Sequence, residues 1–105
     1  MNDYRISLTQ RAKDDIINIG DYITYSLHEQ IYSKKFIKAL RNSISQLKLF
    51  PYKFPLIQDD ILQNEGIRCM PYKNYCIFYK IVQSAQIVIV LRIGHKQRNW
   101  KDILA

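Results

Sequence analysis

The chain has 105 residues, 48% of them apolar, with only three glycines and three prolines, which fits one ordered domain spanning 1–105 and not a disordered segment. It holds no apolar run of about 18 residues, and its start, MNDYRISLTQ, lacks the apolar core of a secretory signal, so no membrane partner and a cytoplasmic location are expected. The net charge of +7 is unevenly placed: residues 1–66 carry nine Lys and Arg against eight acids, residues 67–105 carry seven against Asp102 alone.

The basic final third points to an anionic partner, nucleic acid or acidic protein, with plain solubility as the alternative. In chain order, YRISL (4–8) alternates as a short first strand, and Thr9 stands as N-cap to a helix. Ala12, Ile16, Ile19 and Ile23 then form one helical stripe, with Gly20 inside it permitting close packing at a cost of up to about 1 kcal/mol. A break at Ser26–Glu29 leads to a second helix, 30–49, whose stripe is Tyr32, Phe36, Leu40, Ile44 and Leu47. Its other face, Lys34, Lys35, Lys38 and Arg41, is basic, most simply as a solvated surface.

Pro51 and Pro55 stop this helix, and 50–66 reads as an irregular loop ending at Gly66. The period then changes to two. IRCMPY, NYCIFYKIV and QIVIVLRI read as strands joined by short turns, hence antiparallel, with Pro71 confining the first to an edge or end. Residues 87–91 are apolar on both faces, as a central strand is. The fold class is α+β: a strand, a two-helix hairpin, then an antiparallel three-stranded meander completing a four-stranded sheet.

Alternation puts Ile87, Ile89, Leu91 and Ile93 on one face and Val88, Val90 and Arg92 on the other. With the first face against the helices, Arg68, Lys80 and Arg92 converge on an open surface, with His95 just beyond the strand end. Such a set suits RNA cleavage without a metal. Arginine and lysine stabilise charge on a scissile phosphate, and histidine moves the proton. Tyr72, Tyr75 and Trp100 could stack unpaired bases. The plainer reading makes His95 a surface group, and Trp100, Ile103 and Leu104 a packing anchor. His28 reads as exposed. Asp59, Asp60 and Glu65 could include a general base on the loop. Cys69 and Cys76 are too few for a disulfide scaffold and read as small strand residues, not nucleophiles. No metal-ligand spacing or nucleotide-binding motif is present, so no metal and no small-molecule cofactor are expected.

The order strand, helical hairpin, LFPYKFP helix ending, Tyr75-Cys76-Ile77-Phe78-Tyr79 strand and terminal Leu91-Arg92…His95…Arg98 resembles the RelE/ParE superfamily of bacterial toxins across essentially the whole chain. The resemblance implies a growth-inhibiting toxin of a type II toxin–antitoxin pair, neutralised by a small cognate antitoxin that adds helices or a strand. RelE-like members cut messenger RNA on the ribosome; ParE-like members poison DNA gyrase. Nuclease members carry an arginine directly after the first tyrosine of the aromatic strand, where this chain has Cys76, and the Arg92–His95 spacing is similar to ParE-like endings. The matching terminal His95 and the basic final third favour cleavage. The sequence reading thus leans to a metal-independent mRNA endonuclease. His95 is its acid/base, Arg68 and Arg92 its phosphate contacts, and Lys80, Lys96, Arg98 and Tyr75 its RNA- or target-binding residues. The alternative is a gyrase inhibitor without chemistry, and a third reading is a degenerate member that only binds its antitoxin.

Overall fold

In the computed structural model, which describes residues 3–105, β1 (Arg5–Leu8) runs directly into α1 (Gln10–Asp21) through Thr9. Met1 and Asn2 lie outside the described residues. The Thr9 hydroxyl accepts from the Ala12 amide at 3.1 Å, satisfying a free N–H of the first turn, and donates to the Leu91 carbonyl at 2.7 Å. α1 continues through one π-helical turn, Tyr22–Ser26, and the chain reverses at Leu27–Glu29, where His28 takes φ +56°. α2 (Gln30–Ser45) follows, extended by a 3₁₀ turn, Gln46–Lys48.

The two apolar stripes do face the sheet: Ala12, Ile16, Ile19 and Ile23 pack with Phe36, Leu40, Ile44 and Leu47. Tyr32 departs from its stripe and is 45% exposed. Ser33 is buried beside it, its hydroxyl donating to the Gly20 carbonyl at 2.9 Å. Gly20 is not required for close approach, because a Cβ there would meet Ile37 and Ser33 only at ordinary contact distance, 3.6 Å.

The loop expected over 50–66 contains a short helix, α3 (Asp60–Asn64), and Gly66 (φ +76°) turns the chain after it. Five residues with one buried apolar side chain, Leu62, carry no readable period, which is why α3 escapes the sequence. Pro51 stops the preceding helix and is itself buried; its carbonyl accepts from the Tyr79 hydroxyl at 2.7 Å. Burial pushes the Tyr79 phenol up to about 12, against a smaller lowering by nearby Arg68, so it stays a neutral donor in the core.

β2 (Arg68–Tyr72), β3 (Tyr75–Val82) and β4 (Ile87–His95) form the antiparallel meander, and β1 adds to β4 in parallel, giving the order β1-β4-β3-β2. β4 is therefore central and Pro71 lies on an edge strand, as the pattern implies. The expected faces of β4 are exchanged. Val88 and Val90 meet α1 and α2, and a bulge at Leu91, between the pairs Phe78–Arg92 and Tyr79–Val90, brings Ile93 to the same side. Strict alternation fails at one inserted residue.

Nor is the second face open. Leu62, Ile67, Phe78 and Ile103 make a second small core there, under α3 and α4 (Trp100–Leu104). α4 starts at Asn99, whose side chain accepts from the Lys101 amide at 2.9 Å. Its Ile103 lies against Gly94: a Cβ at Gly94 would collide with the Ile103 Cδ1 and stand 3.1 Å from its Cγ1. Gly94→Ala should thus lower stability by about 1–3 kcal/mol by forcing α4 off the sheet, whereas Gly20→Ala should raise it by up to about 1 kcal/mol. Thermal melts of the two variants should move in opposite directions.

Candidate functional site

β1 covers β4 only from Ile87 to Val90, so the outer edge of β4 beyond that point needs other partners. Thr9 takes the Val90 and Leu91 carbonyls, and Asp15 of α1 takes the Ile93 amide at 2.8 Å. The same carboxylate holds Arg92 through Nε at 2.7 Å and Nη2 at 2.9 Å, a bidentate pair with side-chain exposures of only 13% and 10%. The remaining Arg92 Nη1 donates to the Ile103 carbonyl of α4. The hydrogen bond that Arg92 donates to Asp15 raises the Arg92 pKa above its ordinary value, against the opposing effect of burial.

The expected convergence of Arg68, Lys80 and Arg92 occurs only in part: Lys80 and Arg92 line one cavity, and Arg68 does not reach it. Arg92 is committed to Asp15 and α4. Arg68 pairs with Tyr79, whose side chain lies in the helix-side core; its guanidinium donates to the Phe54 carbonyl at 2.6 Å and sits 5.1 Å from the Tyr52 ring centroid. Lys80 is on the other face and lines that cavity with Arg92, Arg11, Glu65 and Leu91. Cys76, where a cation would be needed, is joined to Cys69 in a disulfide across β2 and β3. This corrects the reading of the two cysteines as independent small strand residues, a reading that lacked the β2–β3 register. The acids have local tasks too: Asp59 caps α3, accepting from Ile61 and Leu62 at 3.1 and 3.2 Å.

What the structure does gather is a smaller site at the exit of β4. His95 lines a cavity of about 230 Å³ with Lys96, Arg98, Trp100 and the Cys69–Cys76 pair. The His95 ring stands edge-on to Tyr75 at 5.5 Å, and Tyr75 stands edge-on to Phe36 of α2 at 5.7 Å, so the helix layer sets the imidazole's position. Its Nδ1 accepts from the Gln97 amide at 3.2 Å, which places the ring proton on Nε2 in the neutral form. Burial, and then the nearby Tyr22, raises the Tyr75 pKa, which favours its neutral phenol. Trp100 packs into the second core, as the plainer reading had it, while still reaching the cavity. Lys73, which the sequence did not single out, lies over Phe36, Tyr32 and Tyr72 at 5.3–5.8 Å. Its position in a two-residue turn between aromatic strands was the available signal. Among the described residues no three His, Cys, Asp or Glu side chains gather as a metal set, and no helix is long and apolar enough to cross a membrane.

The family model for the ParE toxin of type II toxin–antitoxin systems, parDE, matches residues 6–100. The chain belongs to this family. As a ParE-family protein it is a toxin of a type II toxin–antitoxin system. No curated protein matches it in sequence. Its fold is shared with a chain of the chromosomal ParDE system from P. aeruginosa (TM-score 0.72, 14% identity, 88% of this chain and 95% of that one covered). It is shared also with a chain of the RelBE2 toxin–antitoxin complex from Mycobacterium tuberculosis (0.67, 16%, 89% and 98%) and with a mutant of E. coli toxin RelE in the free state (0.63, 12%, 90% and 85%). At these identities the likeness concerns the fold.

Within this ParE-family toxin, Asp15 is the residue on which the β4 edge relies. Asp15→Ala should cost about 3 kcal/mol or more, since it strands a nearly buried guanidinium and an amide. Replacing both partners, Asp15→Leu with Arg92→Leu, should recover part of that loss, and a double-mutant cycle by denaturant unfolding measures the coupling.

Proposed function

We propose that this toxin arrests growth by inhibiting DNA gyrase through protein contacts, and that a cognate antitoxin holds it inactive. The observation that carries this reading is the disposition of the cations. Metal-free RNA cleavage needs several free positive groups around one phosphate. Here Arg92 is neutralised by Asp15, Arg68 is turned to the helix side, and position 76 is a half-cystine. The ParE family match supports the same choice over the nuclease that the sequence reading favoured.

The bend of the helical hairpin supports a protein target. Tyr22, Tyr25, Leu27, Ile31 and Tyr32 leave 45–74% of their surface to solvent, an apolar cluster of the kind that marks a protein interface. A relaxed-plasmid supercoiling assay with purified gyrase should show inhibition or trapped breaks. Tyr25→Asp with Ile31→Asp should weaken that effect by about 10-fold or more, and His95→Ala should leave it unchanged.

One observation favours the second reading, ribosome-dependent mRNA cleavage. His95 keeps Nε2 clear of any hydrogen bond among the described residues and shares its cavity with Lys96 and Arg98. On that reading, transcripts on translating ribosomes are cut within minutes of induction and His95→Ala lowers the rate by about 10²–10⁴. Intact transcripts alongside gyrase-linked DNA breaks would reject it.

For the antitoxin, the basic face of α2 offers a place. Lys34, Lys38 and Arg41 border a cleft over Ile37, and Arg41 with Lys48 borders a second one over Ile6, Leu8 and Ile44, beside the free edge of β1. An acidic amphipathic segment matches this surface in charge and apolarity. Lys38→Glu with Arg41→Glu should weaken antitoxin binding by about 10-fold at low ionic strength. The difference should shrink as salt rises, and titration calorimetry at two salt concentrations reads both.

A further inference from the structure

We propose that Cys69 and Cys76 are a redox-modification site, a disulfide that forms and opens reversibly and thereby changes the floor of the His95 cavity. Three observations converge on it. First, the pairs Cys69–Phe78 and Pro71–Cys76 make the two cysteines diagonal neighbours on one face of β2 and β3, with Cα atoms 5.9 Å apart. That separation lies within the range a disulfide spans. The hairpin holds them there by its backbone register, whether or not the sulfurs are bonded. Second, the two positions are only seven apart in sequence, so the bond closes a short loop and restrains the unfolded chain less than a bridge between distant segments does. A weakly stabilising bridge is more easily opened.

Third, both cysteines are partly exposed and line the same cavity as Lys96 and Arg98. Cations beside a reachable thiol stabilise its thiolate, the form that reacts. A thiolate of the pair attacks the disulfide of oxidised glutathione, forms a mixed disulfide and releases one reduced glutathione. The second cysteine loses its proton to solvent and attacks the protein sulfur of that mixed disulfide, releasing the second glutathione. Two protein thiols and one oxidised glutathione thus become one protein disulfide and two reduced glutathiones, with two electrons passing to glutathione. In the closed state the floor of the cavity is a neutral, apolar bridge tying edge strand β2 to β3. In the open state it presents two separate sulfurs beside the His95 imidazole.

The site does not depend on which target the toxin strikes, so its test uses no activity assay. The full-length toxin is equilibrated in glutathione buffers from fully reduced to fully oxidised, quenched with acid, alkylated and weighed. The expected result is a reversible, two-electron transition to a species two hydrogens lighter, with its midpoint inside that series. The His95 ring and Trp100 indole signals in NMR spectra should shift with the same midpoint, and should not shift in the Cys69→Ala, Cys76→Ala double variant. Cys76→Ser alone should trap glutathione on Cys69; if it fails to fold, Cys69→Ser should trap it on Cys76. A bond that survives in reduced glutathione alone would make the pair a fixed structural bridge and overturn the proposal. So would thiols that stay open in oxidised glutathione, or His95 signals that move equally in the double variant.

Discussion

A single carboxylate, that of Asp15, receives two hydrogen bonds from Arg92 and one from the Ile93 amide, while Arg92 goes on to the last turn of α4. This one junction ties a helix on one face of the sheet, the exposed edge of the central strand and a helix on the other face. It exists because β1 is four residues long and β4 nine, leaving half of the central strand's outer edge without a strand partner. Desolvating two charges is expensive, and the return is geometry more than net stability. The arginine held there is not available to a phosphate.

From that junction the rest of the β4 exit follows. The bulge at Leu91 turns Ile93 into the helix-side core and leaves Arg92 on the side of Phe78. Gly94, without a side chain, lets Ile103 sit against the strand, which brings α4 and Trp100 beside His95. On the helix side, edge-on contacts from Phe36 to Tyr75 to His95 fix the imidazole. The histidine is therefore placed by both layers of the protein, although it lies at the end of a strand, before an exposed turn.

Most of the architecture was legible because it is written in period. Helical stripes of four apolar residues and alternating strands report burial directly. The central place of β4 could be read from the two-sided apolar run at 87–91, and the exit position of His95 from the end of that run. What period does not report is pairing across long separations. Asp15 reads as one more acid on an amphipathic helix until Arg92, 77 positions away, is placed beside it. The bulge shifts alternation by one residue without any glycine or proline to announce it. α3 is too short to show a period, and its arrival over the second face converts an expected open surface into a second core. The cysteines illustrate the same limit: only the register of β2 against β3 makes them neighbours.

The parallel pairing of β1 with β4 has a further consequence, for synthesis. The first strand finds its partner only after about 80 further residues have been made, with Thr9 and Leu91 82 positions apart. Contacts of such separation form late and slowly. While the ribosome is still adding the meander, the helical hairpin has no central strand to close on and its apolar stripes lack their cover. The folded surface thus comes into being only after β4 has left the exit tunnel, so a translation product stalled before β4 cannot assemble the sheet, however well its first strand and helices have formed.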